Sequence, residues 1–358
     1  MSDKAWKDRV DRGVLVTLGR APRGMQRALA GRERRARWPG LDPEIGAALR
    51  LMELSTEPTF EELPLDEARA QIVREAALFG GPPLPMSHVL EFEIPTPTGG
   101  IEGRLYVADE RDADRLLVYF HGGGWVLGGL DSADSVCRFL AAHAGVAVLS
   151  VDYRLAPEHR FPAAPDDALA AFRFAVAQGV EWGHDPQRVA VGGDSAGGNL
   201  AAVLCQDLRT AAEIRPAFQL LFFPCTDLST KHRSYQEFRE GFFLTEAQMD
   251  WYRDHYLGDH PADDPRVSPL LAEDLTGLPP AYVAVAGFDV LRDEGEAYAQ
   301  RLAEAGVQVG LRRHTGLVHA FVNATGVGRA SRDAMLEACG ALRLGVGAGP
   351  GRVPYSRP

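Results

Sequence analysis

From residue 86 onward, short apolar and β-branched runs alternate with amphipathic stretches of helical period. Such alternation restricts a chain to a mostly parallel sheet with helices packed over it, because each parallel strand needs a long crossover before the next. Runs at 89–94, 101–107, 116–120, 146–151, 189–192, 218–223, 281–286 and 309–314 predict eight strands. The Thr96-Pro97-Thr98-Gly99-Gly100 segment between the first two is short enough for a hairpin, so that pair is expected to be antiparallel. Apolar residues at helical spacing over 166–177, 196–210, 294–305 and 329–342 predict helices, and Gly306 stands where a cap glycine ends the third.

Two stretches break this rhythm. Residues 1–75 are helical in tendency without a strand run, and 229–264 is an insertion carrying Tyr235, Phe238, Phe242, Phe243, Trp251, Tyr252 and Tyr256. An aromatic insertion of this length serves either as a packing subdomain or as a lid over a site, and the lid is favoured here. The expected division is a helical cap from 1–75 and 229–264, an α/β domain from 76–228 and 265–345, and a loose Gly- and Pro-rich tail at 346–358.

The 46% hydrophobic and 24% charged content is that of a globular protein. Its net charge of -11 argues against nucleic acid and anionic membranes as general partners. The charge is uneven, since residues 1–39 hold 11 basic against 4 acidic side chains. The basic stretch from Arg20 to Arg37 is expected to be a solvated helical face, a weak membrane-surface or partner contact being the alternative. Charges interrupt every apolar stretch near the N-terminus and no run is long enough to span a bilayer, which points to a cytoplasmic protein without an integral membrane segment. Cys137, Cys205, Cys225 and Cys339 are far apart and fit reduced thiols; burial is expected for all, although Cys225 follows a strand and could border a site.

The most informative local pattern is Gly193-Asp194-Ser195-Ala196-Gly197, directly after the strand run 188–192 and directly before a helical run. A serine on so sharp a turn needs glycines beside it for room, and the turn lifts its hydroxyl at the sheet edge beside a helix N-terminus. His121-Gly122-Gly123-Gly124-Trp125 follows the strand 116–120, and its bare backbone N–H groups can stabilise an oxyanion. Gly123, Gly124 and Ala196 are the expected donors. Neither phosphate-loop spacing can be read there.

A serine hydroxyl needs a base, and the base needs an acid to orient it. His319 lies between the last strand and the last helix, where the order Ser, Asp, His places the base; His314, at the strand's end, is its rival. Asp289 follows the strand 281–286 immediately, whereas Asp293 precedes Glu296 by three residues in a helix-capping pattern and Glu294 lies within the helix start. Asp289 is therefore assigned. Trp125, Phe242 and Phe243 are candidates to line the acyl and alcohol pockets, and Asp194 is counted either with them or as a brace or turn residue of the elbow. Arg154, Glu158 and His159, in the proline-studded loop 153–164, are expected to form ion pairs that hold the loop under the glycine turn.

With these residues in place the chain resembles the hormone-sensitive-lipase-like bacterial carboxylesterases, family IV of the α/β-hydrolase superfamily. The likeness runs from about residue 86 to 340 through HGGGW at 121–125, DYRLAPEH at 152–159, Phe161-Pro162-Ala163, GDSAGGN at 193–199 and DVLRDE at 289–294. It implies an α/β-hydrolase fold with a helical cap and a serine esterase for short to medium acyl chains. Ser195, Asp289 and His319 stand at the matching triad positions, and no metal or cofactor is implied. The family has Pro where this chain has Val290, which removes one fixed φ from the acid loop. The expected partner is a small ester, with oligomeric state open between monomer and homodimer. Amide, carbamate or lactone hydrolysis on the same residues is the nearest alternative, and a non-catalytic small-molecule receptor on the same fold is more remote. The need for a neutral histidine predicts that kcat/KM falls below about pH 6 to 7.

Overall fold

The computed structural model describes residues 13–54, 57–109 and 114–347. Residues 13–20 are helical, and four further N-terminal helices follow, α1 (Arg23–Leu29), α2 (Arg32–Arg37), α3 (Pro43–Glu53) and α4 (Leu65–Gly80). The order then runs β1 (His88–Thr96), β2 (Gly99–Val107), β3 (Leu116–Phe120), α5 (Leu130–Ala144), β4 (Ala147–Asp152), α6 (Ala163–Trp182), β5 (Val189–Asp194), α7 (Ala196–Asp207) and β6 (Gln219–Phe222). It closes with α8 (Arg233–Phe238), α9 (Glu246–Leu257), β7 (Ala281–Phe288), α10 (Arg292–Glu304), β8 (Val309–Val318) and α11 (Arg329–Gly347).

The eight strands form one sheet in the order β1-β2-β4-β3-β5-β6-β7-β8. The opening hairpin is antiparallel as expected, β2 joins β4 antiparallel, and every pairing from β4 to β8 is parallel. β3 and β5 are buried along their whole length, which explains their continuous apolar runs. Helix α5 packs on α11 and helix α6 on α7, so the central strands are covered on both faces. This is the α/β-hydrolase fold that the motifs implied.

Local chemistry accounts for the boundaries. Gly145 and Gly183 end α5 and α6 in the left-handed region, at φ 65° and 80°. After α10, Gly306 donates to Ala303 O and Val307 to Leu302 O, the paired bonds of a Schellman end. Helix α5 went unread in the sequence because Ala133, Ala141 and Ala144 blur the apolar stripe that Val136, Phe139 and Leu140 carry.

Two boundaries are corrected. Strand β8 does not stop at His314; after a register irregularity it pairs again at Val318 with Phe288. The last helix runs to Gly347 with Val346 buried, so the loose tail does not begin at 346, and the rest of that tail (348–358) lies outside the described residues. The basic stretch from Arg20 to Arg37 is mostly exposed as expected, with Arg23 paired to Asp42 and Arg34 to Glu53, while residues 1–12 lie outside the described range. All four cysteines are free and buried. No helix among the described residues is long and apolar enough to cross a membrane.

Candidate active site

Parallel strands deliver their C-terminal ends to one edge of the sheet, and four of those ends carry the residues singled out above. Ser195 follows β5 at φ 56°, a strained conformation for a residue with a side chain, costing on the order of 1–3 kcal/mol. It is held there by its N–H donating to Phe222 O (2.9 Å) and its carbonyl accepting from Asn199 and Cys225 N–H. The flanking glycine at 197 is obligatory, because a Cβ there would lie 1.9 Å from Phe120 O.

The loop after β3 winds through positive φ at Gly123 (115°), Gly124 (61°) and Trp125 (61°). Among the described residues the N–H groups of Gly123, Gly124 and Ala196 donate no hydrogen bond, while Gly122 N–H donates to Asp194 Oδ1 at 3.0 Å. The same carboxylate oxygen accepts from Tyr119 Oη at 2.6 Å. Asp194 is thus engaged through this oxygen as a brace between elbow and glycine loop, and it also lines the cavity beside Ser195. Burial raises its pKa, against the bonds from Tyr119 and Gly122. His121 stacks on Tyr153 at 4.3 Å, and its Nδ1 donates to Gly122 O at 2.7 Å; burial lowers its pKa to about 4, so it stays neutral.

His319 comes from the end of β8 and Asp289 from the end of β7. His319 Nε2 lies 3.1 Å from Ser195 Oγ, and its Nδ1 lies 2.8 Å from Asp289 Oδ2. The fully buried Asp289 uses its other oxygen to accept from Leu291 N–H at 3.0 Å, a turn that holds it without a proline at 290. Phe223 backs the imidazole at 4.5 Å. His314 is not brought to Ser195; its Nε2 is buried without a hydrogen-bond partner. Asp293 does not cap α10, whose N-cap is Leu291; it accepts from Ser234 N–H and Arg292 instead. Glu294 is buried and accepts from the N–H groups of Thr226 and Asp227.

Ser195, His319 and the glycine loop face one cavity, walled otherwise by side chains of α3 and α4, by Phe243 and Tyr252 of the insertion, and by the segment 318–331. Trp125 lines it with a buried ring stacked 4.2 Å from Tyr256, and Cys225 lines it too. Phe242 does not line it. Its ring turns away into a cluster with Trp38, Phe238 and Phe288, because the chain passes the cavity wall at Phe243 and neighbouring side chains point apart. In the loop 153–164, Arg154 forms a forked pair with buried Asp167, while Glu158 pairs with Arg69 of α4. Tyr119, Phe223 and Arg69 were not singled out in the sequence. Only Tyr119, a polar-tipped ring at the end of a buried strand just before the glycine loop, gave a sign of its place.

Comparison with known proteins agrees with this geometry. The family Abhydrolase_3, described by the alpha/beta hydrolase fold, matches residues 117–323. The chain belongs to the α/β-hydrolase family. This hydrolase is 47% identical over 287 residues to the carboxylic ester hydrolase LipN of Mycobacterium tuberculosis, covering 78% of this chain and 76% of the relative. It is 40% identical over 293 residues to an ethyl acetate hydrolase of Pseudomonas putida, covering 79% of this chain and 92% of the relative. Among solved structures, an ester hydrolase from the metagenome of Lake Arreo, complexed with a derivative of bipyridine phosphonate, superposes with a TM-score of 0.83 at 42% identity. That match covers 86% of this chain and 99% of the other. The resemblance read from the motifs therefore holds: the hydrolase is a member of the hormone-sensitive-lipase-like family, and an enzyme of the serine carboxylesterase type.

Proposed function

We propose that this hydrolase cleaves carboxylic esters of short to medium acyl length through an acyl-enzyme, with Ser195 as nucleophile, His319 as general base and acid, and Asp289 as the group that orients the histidine. The observation that carries this reading is the hydrogen-bonded chain from Ser195 Oγ through His319 to Asp289, opening on a cavity beside three unengaged backbone N–H groups. In the first step His319 Nε2 takes the proton of Ser195 as Oγ attacks the ester carbonyl. The carbonyl oxygen becomes an oxyanion, held by the N–H groups of Gly123, Gly124 and Ala196, each such donor being worth about 3–4 kcal/mol in related sites. The imidazolium then returns its proton to the departing alkoxy oxygen, and the alcohol leaves. Water, deprotonated by the same histidine, attacks the acyl-enzyme and releases the acid.

The N-terminal helices and the 229–264 insertion act as one cap over this site. Support comes from cavity-lining residues drawn from both segments and from contacts between them, Trp38 on Phe238 and Phe242, and Gln248 on Glu61. The test is hydrolysis of p-nitrophenyl esters with acyl chains of two to sixteen carbons by wild type and Ser195→Ala, both checked for native circular dichroism. Activity concentrated on the shorter chains and lowered by roughly 10⁴-fold or more in the variant is expected. Substantial turnover by a folded Ser195→Ala protein would move the chemistry elsewhere.

A further inference from the structure

The cavity that holds Ser195 has a polar corner that ester hydrolysis does not use. Glu44 of α3 and Ser331 of α11 both line the cavity and are buried, 4% and 0% exposed. Glu44 Oε1 accepts from Arg329 N–H at 2.9 Å, which caps the start of α11. Its Oε2 has no hydrogen-bond partner; the nearest cation, Arg329 Nε, stands 4.0 Å away with its side chain half exposed. Ser331 Oγ is likewise buried without a partner, and the two groups do not bond to each other. They flank the same glycine: a Cβ on Gly328 would lie 3.0 Å from Ser331 Oγ and 3.3 Å from Glu44 Oε1. Leaving a buried polar group unpaired costs about 1–3 kcal/mol, so two in one corner of the cavity call for a partner.

We propose that Glu44 and Ser331 form a subsite for a hydroxyl group carried by the substrate at a distance from its ester bond. A hydroxyl suits the pair because it can donate to Glu44 Oε2 and accept from Ser331 Oγ at once, whereas a methyl end leaves both unpaired. Around them the wall is apolar, including Leu18, Ile45, Leu49 and Val327, so the substrate class is an ester with an apolar body and a remote hydroxyl. This rests on the reading of Ser195 as the reacting group.

The experiment compares p-nitrophenyl esters of ω-hydroxy acids with the plain esters of equal length, from four to twelve carbons, in wild type, Glu44→Gln and Ser331→Ala. Glu44→Gln keeps an acceptor for Arg329 N–H, so the cap on α11 survives. Expected is a chain length at which wild type prefers the hydroxylated ester by about 10-fold or more in kcat/KM, with that ratio falling to within about twofold of unity in each variant. No preference at any length, or one that both variants retain, overturns the proposal; a stronger preference for ω-amino esters overturns it in favour of a cation site. Calorimetric titration with the free ω-hydroxy and plain acids judges the subsite independently of turnover. Failure of wild type to hydrolyse p-nitrophenyl acetate would count against Ser195 alone.

Discussion

Asp194 braces the elbow and lines the cavity at once. Its Oδ1 receives both Tyr119 Oη and Gly122 N–H, so it joins the elbow to the loop that presents the unengaged N–H groups. Asp194→Ala leaves a buried phenol unpaired and is expected to cost about 1–3 kcal/mol in urea denaturation and to lower kcat. Asp194→Asn keeps the accepting oxygen and should lose less. Because burial raises the folded-state pKa of Asp194, the folded protein holds that proton to higher pH than the unfolded chain. Wild-type stability contributed by this group therefore declines as pH rises past the ordinary aspartate range near about 4, and Asp194→Asn should gain on wild type over that rise. Asp289→Asn retains the turn to Leu291 but not the charge beside His319, and a kcat loss of roughly 10³- to 10⁴-fold in steady-state assays is expected.

Helix α4 reaches the glycine loop through a single guanidinium. Arg69 donates to Val126 O (3.0 Å), Ala156 O (3.1 Å) and both oxygens of Glu158 (2.8 Å each). The bond with Arg69 holds the Glu158 carboxyl down at a pKa of about 2. A depressed folded-state pKa stabilises above the unfolded value, about 4.3, and that contribution is lost as pH falls toward 2. The difference in urea midpoint between wild type and Glu158→Gln should hence be constant above pH 5 and close on acidification; a difference that grows on acidification would refute the assignment. The strands around this tie were legible because a buried parallel strand needs a continuous apolar run, as in Leu116–Phe120. The tie itself was not, since an arginine on an amphipathic helix looks the same whether it meets water or the carbonyls of a distant loop.

Over the entire protein, the aromatic residues of the insertion divide between two jobs that adjacent positions do not reveal. Phe242 packs with Trp38, Phe238 and Phe288, joining the N-terminal helices to the end of β7, while Phe243 faces the cavity. Phe242→Ala is expected to destabilise by about 3–5 kcal/mol in urea denaturation while leaving KM for p-nitrophenyl butyrate within about threefold of wild type. Phe243→Ala should do the reverse, raising KM with a smaller change in stability. Equal KM effects from both substitutions would show that the cluster and the cavity wall move together.

Strand order of appearance, the elbow at Ser195, the glycine loop and the choice of Asp289 and His319 as candidates were all open to inspection in the chain itself, because each depends on residues adjacent in sequence. A strand period, a turn that needs glycine and a free N–H group are local properties. Folding decided which distant residues meet. The irregularity in β8 carried the chain past His314 to His319, the register of β7 set Asp289 beside it, and the bond from Arg329 N–H to Glu44 tied α3 to the start of α11 and brought Glu44 and Ser331 to one corner. Those encounters join groups dozens to hundreds of positions apart, and they follow from how helices and strands pack side by side, which no local pattern encodes.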